Sequence, residues 1–473
     1  MKNKTVFIEV NEVPFIIWDR FADRYPDSAI AQLMKSSSQY TTVTPDKGFV
    51  GHGSPHGRLT PWTTWPTVHR GVDNSEHGIF DIGQDLAEIN KRFPPFWTYL
   101  SEAGNKVGVF GSVHSWPVPG DRYAFYVPDP FAADDEVVPE KLRPFQAFNL
   151  GTTRTSGQTS GSRIDRKTAA KFIATAPQLG VHAGTVLKFA HQLIDERRNP
   201  ARATRRRALR SLIGFDVYEK LLEQMQPDAS TFFVNHIAAA MHNYWAAAYP
   251  DDYEDYPEDR DWINQHDGVI DSAMKTVDEI LGRLLRGVCA DPAVALVVAS
   301  SMGQAPTTPE VLRTELRVED PERFMEFLGV PAGAWRRTTA PHFNIFVDSH
   351  YEDEFKRRSE SLRINGQPVD RREAASGFYS LEFGQSDAGG LTVEIDHRLV
   401  DASELGLNNK AIQGKKLMCA DHVPEGSLIV HNPRSTSPQQ SRARIPSTSI
   451  APAILVRHGV EPPAHMRAEP LEI

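Results

Sequence analysis

Cysteine is nearly absent from this chain of 473 residues, which contains only Cys289 and Cys419. Two cysteines cannot build a disulfide framework. The sequence also has no CxxC pair or cysteine–histidine cluster with the spacing of a structural zinc site. A reducing compartment fits this composition, so we place the protein in the cytoplasm.

Long apolar runs are missing as well, and none approaches the roughly 20 residues that a membrane-spanning helix needs. The first residues, MKNKTVFIEV, begin with lysines, but Asn11 and Glu12 interrupt the apolar stretch that follows. That stretch is too short for a signal peptide. We therefore expect no membrane contact.

The chain also lacks a surplus of positive charge, because it has 52 Lys and Arg and 61 Asp and Glu, for a net charge of −9. This balance excludes the broad basic surface of a nucleic-acid-binding protein and favours a small-molecule partner. One basic run is interpreted as a solvated helix face. The alternative interpretation is that this basic run binds an anion or forms an oligomer interface, so the protein could be a homo-oligomer. The run consists of Arg202, Arg205, Arg206, Arg207 and Arg210.

Short β-branched runs, each following a helix-like segment, predict the fold class. Such alternation is typical of an α/β protein with a mostly parallel sheet and helices on both faces. The clearest helix is predicted between about Gln265 and Cys289, where apolar residues keep the 3.6-residue spacing. The predicted strands are Val6–Val10, Lys106–Phe110, Thr231–Val234 and Ala295–Ala299.

Changes in this pattern divide the chain into five parts. Residues 1–130, 228–310 and 415–473 are predicted to form one α/β core. Residues 131–227 form a mainly helical insertion between the first two parts. Residues 311–414, with strand-like runs around a charged helix, form a smaller α+β lid subdomain.

The segment LTPWTTWPTVHRGVDNSEHGI, which starts at Leu59, carries the strongest chemical signal. Thr60 followed by Pro61 predicts a helix start with a hydroxyl N-cap. A hydroxyl there faces free backbone amides and the positive end of the helix dipole, where it can bind or attack an anionic ester. An ordinary N-cap is the alternative interpretation.

This segment resembles the nucleophile region of the alkaline phosphatase superfamily, in particular its phosphodiesterase and nucleotide-pyrophosphatase branch. Three later segments, FWTYLSEAGNKVGVFG, DHVPEGSL and STSIAPAILVRHGVEPPAHM, resemble further landmarks of that family in the same order. The resemblance implies an alkaline phosphatase-like fold and Thr60 as the nucleophile. One extra residue between Thr60 and Trp65 leaves Thr63 and Thr64 as competing candidates.

The same resemblance implies that the family's two-metal centre is not intact here. One metal of the family is held by an Asp after the first strand and by the Asp and His of an SDHG motif. Those positions are Asn11, Ser301 and Met302 in this chain. Neutral serine and methionine cannot replace a carboxylate and an imidazole as zinc ligands.

A single zinc ion is the cofactor that the remaining histidines could hold. The family's other metal takes a DxxxH pair and a late histidine, and here His242 and His422 remain while Ala238 replaces the Asp. With His236 as compensation, the predicted ligands are His236, His242 and His422. The alternative is that these histidines bind substrate without a metal.

Without metals, the hydroxyl nucleophile needs a general base, for which His242 and His69 are the candidates beside His236. The substrate should lie at the carboxyl ends of the parallel strands, where ligands collect in open α/β sheets. The predicted substrate-binding residues are Asn11, Glu12, Trp62, Asn235, Ser301 and Gln304.

These features predict a phosphodiesterase- or phosphatase-like hydrolase or transferase. Its substrate would be a phosphate ester, or as second choice a sulfate ester, of a small polar metabolite or glycan precursor. One alternative is a metal-independent transferase or catalytically altered member in natural-product or surface-polysaccharide biosynthesis. Another is a non-catalytic binding protein.

Overall fold

The computed structural model of the chain describes residues 2–44, 59–154, 165–254, 260–338, 343–375, 377–383 and 391–473. Its strands belong to a large central sheet and to smaller antiparallel sheets. In chain order they are β1 (Lys4–Val10), β2 (Ser38–Val43), β3 (Val107–Phe110), β4 (Phe125–Val127), β5 (Ala229–Val234), β6 (Val294–Ala299), β7 (Gly303–Val318), β8 (Trp335–Arg337), β9 (Phe343–Val347), β10 (Arg363–Ile364), β11 (Gln367–Pro368), β12 (Asp370–Ala375), β13 (Phe378–Glu382), β14 (Val393–Ile395), β15 (Arg398–Val400), β16 (Leu407–Val423), β17 (Glu425–His431) and β18 (Ala443–Pro446).

Helices surround these strands. In chain order they are α1 (Phe15–Arg24), α2 (Ala29–Lys35), α3 (Pro61–Arg70), α4 (Asn74–His77), α5 (Ala87–Arg92), α6 (Phe96–Glu102), α7 (Arg143–Arg154), α8 (Arg166–Leu179), α9 (Ala183–Arg198), α10 (Arg206–Met225), α11 (His236–Ala248), α12 (Arg260–His266), α13 (Val269–Arg286), α14 (Pro321–Phe327), α15 (Glu352–Ser361) and α16 (Ile450–Arg457). Among the described helices, none combines the length and apolarity that crossing a bilayer requires.

The central sheet has eight strands in the order β18-β2-β17-β6-β1-β5-β3-β4. Its pairings are parallel except those of β17, which runs antiparallel to β2 and β6. Strand β1 is central because β5 and β6 pair with its two edges. This confirms the predicted mostly parallel sheet, with one reversed strand that the sequence pattern did not reveal.

Helices cover both faces because alternate residues of the central strands are buried on opposite sides. On β1, Val6, Ile8 and Val10 pack in the cluster that contains α1, α2, α10, α11 and α13. Phe7 packs on the other face, with α3, α6 and α16. Helix α13 lies within the predicted segment and buries the predicted apolar stripe.

Between β4 and β5 the chain is mainly helical, from α7 to α10. The strands between β6 and β17 form a separate cluster with its own apolar core. The long antiparallel pair β7 and β16 joins that cluster to the central sheet, and its register places His422 opposite Gln304. The five domain boundaries given above stay predictions.

Gly426 on β17 lies close to the backbone at the end of β6. A Cβ there would lie 2.3 Å from the carbonyl oxygen of Ser300 and 2.6 Å from Oγ1 of Thr42. We expect Gly426→Ala to destabilise the protein by about 1–3 kcal/mol, because overpacking a tight contact displaces backbone. Urea unfolding measures this.

Gly184 in α9 provides the matched control, since a Cβ there meets nothing within 4 Å. Gly184→Ala should be neutral or slightly stabilising, as alanine favours a helix over glycine. Equal unfolding midpoints for the two variants would contradict the close packing of β17 on β6.

Candidate metal and catalytic site

Three side chains from distant parts of the chain converge beyond the carboxyl end of β1. Oε2 of Glu12 lies 3.0 Å from Nε2 of His242 and 3.2 Å from Nε2 of His422. The two imidazole rings meet edge to face with their centroids 4.9 Å apart. The candidate ligand atoms of the three residues lie within 4.8 Å of one another, so this group could hold a metal ion.

Each member of the group sits at the end of a rigid element. Glu12 follows β1 and has a left-handed backbone, φ 67°, which turns its side chain back beside the sheet. His242 lies in the middle of α11, and His422 lies near the end of β16, beside β17. The group is therefore positioned by a strand end, a helix and the base of the β7–β16 pair.

The hydrogen bonds of the two histidines leave their Nε2 atoms facing Glu12. Nδ1 of His242 donates to the carbonyl oxygen of Ala420 at 2.7 Å, because a carbonyl can only accept. Nε2 of His422 is buried and faces the Glu12 carboxylate. Histidines that bind metals typically donate their other ring N–H to a carbonyl or carboxylate. Two histidines and one glutamate also form a common catalytic zinc set, so the residues fit zinc.

The electrostatics of the group favour a negative carboxylate beside positive charge. Burial raises the pKa of Glu12, but the positive charge of His422 and hydrogen bonds from both histidines outweigh burial and hold that pKa well below its usual range. Burial lowers the pKa of His422, but the Glu12 carboxylate outweighs burial and raises it. The site thus attracts a cation, whether a proton or a metal ion.

The structure corrects the predicted ligand set at His236. Its Nε2 donates to the carbonyl oxygen of Ala273 at 3.0 Å, so its Nδ1 accepts from the Ser211 hydroxyl at 2.9 Å. Burial lowers the pKa of His236 to about 4. Both ring nitrogens are engaged away from the group, and Glu12, predicted as a substrate contact, stands in its place.

Asn11 connects the group to its surroundings through three hydrogen bonds. Its Nδ2 donates to Oε1 of Glu12 and to Oδ1 of Asn235, each at 2.8 Å, and its Oδ1 accepts from Nε1 of Trp65 at 2.8 Å. Gln304 donates to Oε2 of Glu12 at 2.5 Å. Of the predicted substrate contacts, Asn11 and Gln304 therefore bond directly to Glu12, and Asn235 bonds to Asn11.

The three candidate threonines differ in how their hydroxyls are used. Thr63 and Thr64 are buried, and both donate to the backbone carbonyl of Thr60, at 2.9 and 3.1 Å. The N-cap position of Thr60 is as predicted, but its side chain makes no capping hydrogen bond. Among the described residues its hydroxyl meets only that of Thr63, at 3.5 Å. Thr60 is thus the least committed of the three hydroxyls, and the carbonyl of the neighbouring Leu59 is among the groups that raise the pKa of His422.

His69 lies in the last turn of α3 and is fully buried. Its Nε2 is 3.0 Å from Oε1 of Glu9, and its ring packs between Trp65 and Trp97. A side chain enclosed in this way cannot reach a substrate hydroxyl. His69 is therefore a core residue and not the predicted general base.

The residues that the resemblance aligned with a second metal site are engaged in internal contacts. The Ser301 hydroxyl is 2.8 Å from that of Thr64, and Met302 is fully buried. The Asn11 amide makes the three hydrogen bonds described above. Trp62, the remaining predicted contact, packs edge-on against Phe131 with ring centroids 4.8 Å apart.

Comparison with known proteins gives structural similarity only. No family model and no curated protein matches the sequence. The chain is similar to murine ectonucleotide pyrophosphatase/phosphodiesterase 5, at 10% identity over 98% of this chain and 96% of that one, with a TM-score of 0.41. It is also similar to alkaline phosphatase PafA, at 11% identity over 100% and 98% of the two chains, with a TM-score of 0.43.

A third similar structure is phosphonoacetate hydrolase from Sinorhizobium meliloti in complex with phosphonoformate. Its identity is 12% over 97% of this chain and 95% of that one, and the TM-score is 0.39. All three overlaps are loose. The chemistry of this chain therefore has to be worked out from its own side chains.

Proposed function

We propose that this protein is a hydrolase of phosphate esters in which Glu12, His242 and His422 hold one zinc ion and Thr60 supplies the attacking hydroxyl. The observation that carries the proposal is the convergence of two histidine Nε2 atoms on one buried carboxylate oxygen. A bound zinc ion would supply Lewis acidity toward the phosphoryl group and the attacking hydroxyl.

The chain's own residues supply binding and orientation. The N-terminus of α3, a helix of 10 residues, presents the positive end of its dipole beside Thr60. A phosphoryl oxygen bound there would lie next to the hydroxyl. Asn11 keeps the Glu12 carboxylate oriented, and Ala420 keeps the His242 ring oriented.

A metal-independent transferase is the second candidate, and one observation favours it. Glu12 raises the pKa of His422 against the effect of burial, so a proton can occupy the place of a cation in the group. In this reading the His242–Glu12 pair is the general base that takes the proton of the Thr60 hydroxyl. A sulfate ester remains the second choice of substrate. No contact among the described residues specifically favours a non-catalytic binding protein.

Metal analysis combined with a chromogenic ester tests the proposal. We expect one zinc ion per chain, and hydrolysis of bis(p-nitrophenyl) phosphate that stops on treatment with dipicolinate and returns with added zinc. His242→Ala should lose both the zinc and the hydrolysis, because two ligands hold zinc weakly. His397→Ala is the control, since that side chain is fully exposed and remote in sequence from the group.

The possible results separate the candidates. Hydrolysis that survives chelation in a metal-free protein would favour the metal-independent enzyme. Absence of turnover with p-nitrophenyl phosphate, bis(p-nitrophenyl) phosphate and p-nitrophenyl sulfate, with zinc present, would contradict the proposed hydrolase.

A further inference from the structure

A cavity of about 350 Å³ adjoins the candidate site above the carboxyl ends of β3 and β5. Asn235, whose side chain accepts from Asn11, forms part of its wall. Phe131 forms another part and contacts Trp62, two residues after Thr60. The cavity therefore adjoins the Asn11–Glu12 network and the start of α3 through these two residues and extends towards α10.

The far wall of the cavity carries two arginines of α10, Arg207 and Arg210. Arg207 is exposed and Arg210 is half-buried. Among the described residues, neither guanidinium has a hydrogen bond or ion-pair partner. Their neighbour Arg206, in contrast, forms an ion pair with Glu196.

Nothing in the described wall of the cavity balances these two charges. No Asp or Glu is among the described residues that line it. His236, which also lines it, is neutral because burial lowers its pKa to about 4. Burial together with the charges of Arg206 and Arg207 lowers the pKa of Arg210, and these effects outweigh the opposite effect of Glu196, which lies outside the cavity wall.

Five phenylalanines give the cavity a largely aromatic apolar wall. Unpaired arginines at one end of an aromatic cavity suit a ligand with a ring or chain that ends in an anion. The aromatic residues that line the cavity are Phe110, Phe131, Phe145, Phe232 and Phe233.

We propose that Arg207 and Arg210 form a subsite for a second anionic group on the substrate. This inference rests on the proposed function. It deepens that function by assigning the substrate class: a phosphate ester whose non-reacting part ends in a carboxylate, phosphate or sulfate. The reacting phosphorus lies at Thr60 and the Glu12 group, and the second anion lies across the cavity at α10.

A pair of matched substrates tests the subsite on the complete, zinc-loaded protein. The pair is p-nitrophenyl carboxypropyl phosphate and its methyl ester, which differ by one distal charge. We expect the wild-type kcat/KM to be at least about tenfold higher for the carboxylate, the usual scale of one charge-assisted hydrogen bond. A phosphonooxypropyl analogue shows whether a distal phosphate is preferred to the carboxylate.

Arg210→Gln should abolish this preference, chiefly by lowering kcat/KM for the carboxylate, whereas Arg210→Lys should restore part of the preference. Arg198→Gln is the matched control, because it removes an equal charge from the exposed end of α9 and should keep the preference. Equal kcat/KM for both esters in the wild type would overturn the subsite and leave the proposed hydrolase intact.

Failure to hydrolyse either ester would instead overturn the proposed function. A binding measurement would then test the subsite separately. Phenylphosphonate, which has no ester bond, is titrated by calorimetry into the wild type, Arg210→Gln and Arg198→Gln. At least about tenfold weaker binding by Arg210→Gln alone supports the subsite. Equal binding by all three proteins overturns it.

Discussion

Thr60→Ala is expected to lower kcat for bis(p-nitrophenyl) phosphate on the order of 10³-fold or more, which is the scale of losing a catalytic nucleophile. The reason is that Thr60 holds the least committed hydroxyl at the N-terminus of α3. The Thr63 and Thr64 hydroxyls are bound to its carbonyl instead. Steady-state kinetics of purified, zinc-loaded variants measure the effect.

Two further variants make this result specific. Thr60→Ser keeps a hydroxyl and should keep turnover within about tenfold, because the attacking group is preserved. Thr63→Ala removes a neighbouring hydroxyl that supports the helix and should lower stability more than kcat. Full turnover by Thr60→Ala, or a larger loss in Thr63→Ala, would move the nucleophile to another residue.

The central sheet could be predicted from the sequence because its strands are buried on both faces. Such strands read as short, almost continuous apolar runs, and β1, β5 and β6 all have this character. The reversed direction of β17 could not be predicted, because its sequence is equally apolar. Strand direction follows from the path of the connecting segment and not from the residues of the strand.

Two of the three residues in the group, His242 and His422, were predicted through the resemblance. The third predicted ligand, His236, lies away from the group for a geometric reason. Six residues separate His236 from His242 on α11, which at 3.6 residues per turn places them on different faces of the helix. This spacing is incompatible with two ligands on one face of the helix. Ala238, four residues before His242, lies on the correct face but has no ligand atom.

The role of Glu12 depends on backbone conformation, which the sequence did not reveal. A glutamate rarely adopts the left-handed region, yet Glu12 has φ 67°. That turn brings its carboxylate to the histidines while Asn11 before it bonds to Trp65 and Asn235. Since the sequence placed Glu12 only among general substrate contacts, its part in the group required the structure.

Glu9→Leu is expected to lower the free energy of unfolding by about 1–3 kcal/mol, the usual cost of leaving a buried hydrogen-bonding group without its partner. Glu9 projects from the central strand β1 into the aromatic layer under α3 and α6 and is fully buried. Its Oε1 lies 3.0 Å from Nε2 of His69 and accepts from the Ser112 hydroxyl at 2.9 Å. The substitution leaves the His69 nitrogen without its partner, and urea unfolding followed by tryptophan fluorescence measures the loss.

The double variant Glu9→Leu with His69→Leu distinguishes a lost partner from lost packing. Replacing both members of a buried pair by apolar side chains is often close to neutral, so the double variant should be more stable than Glu9→Leu alone. Glu88→Ala is the surface control, because its exposed ion pair with Lys91 should contribute less than about 1 kcal/mol. If the double variant is less stable than either single variant, the aromatic layer depends on the shapes of Glu9 and His69, and their pairing is not the cause.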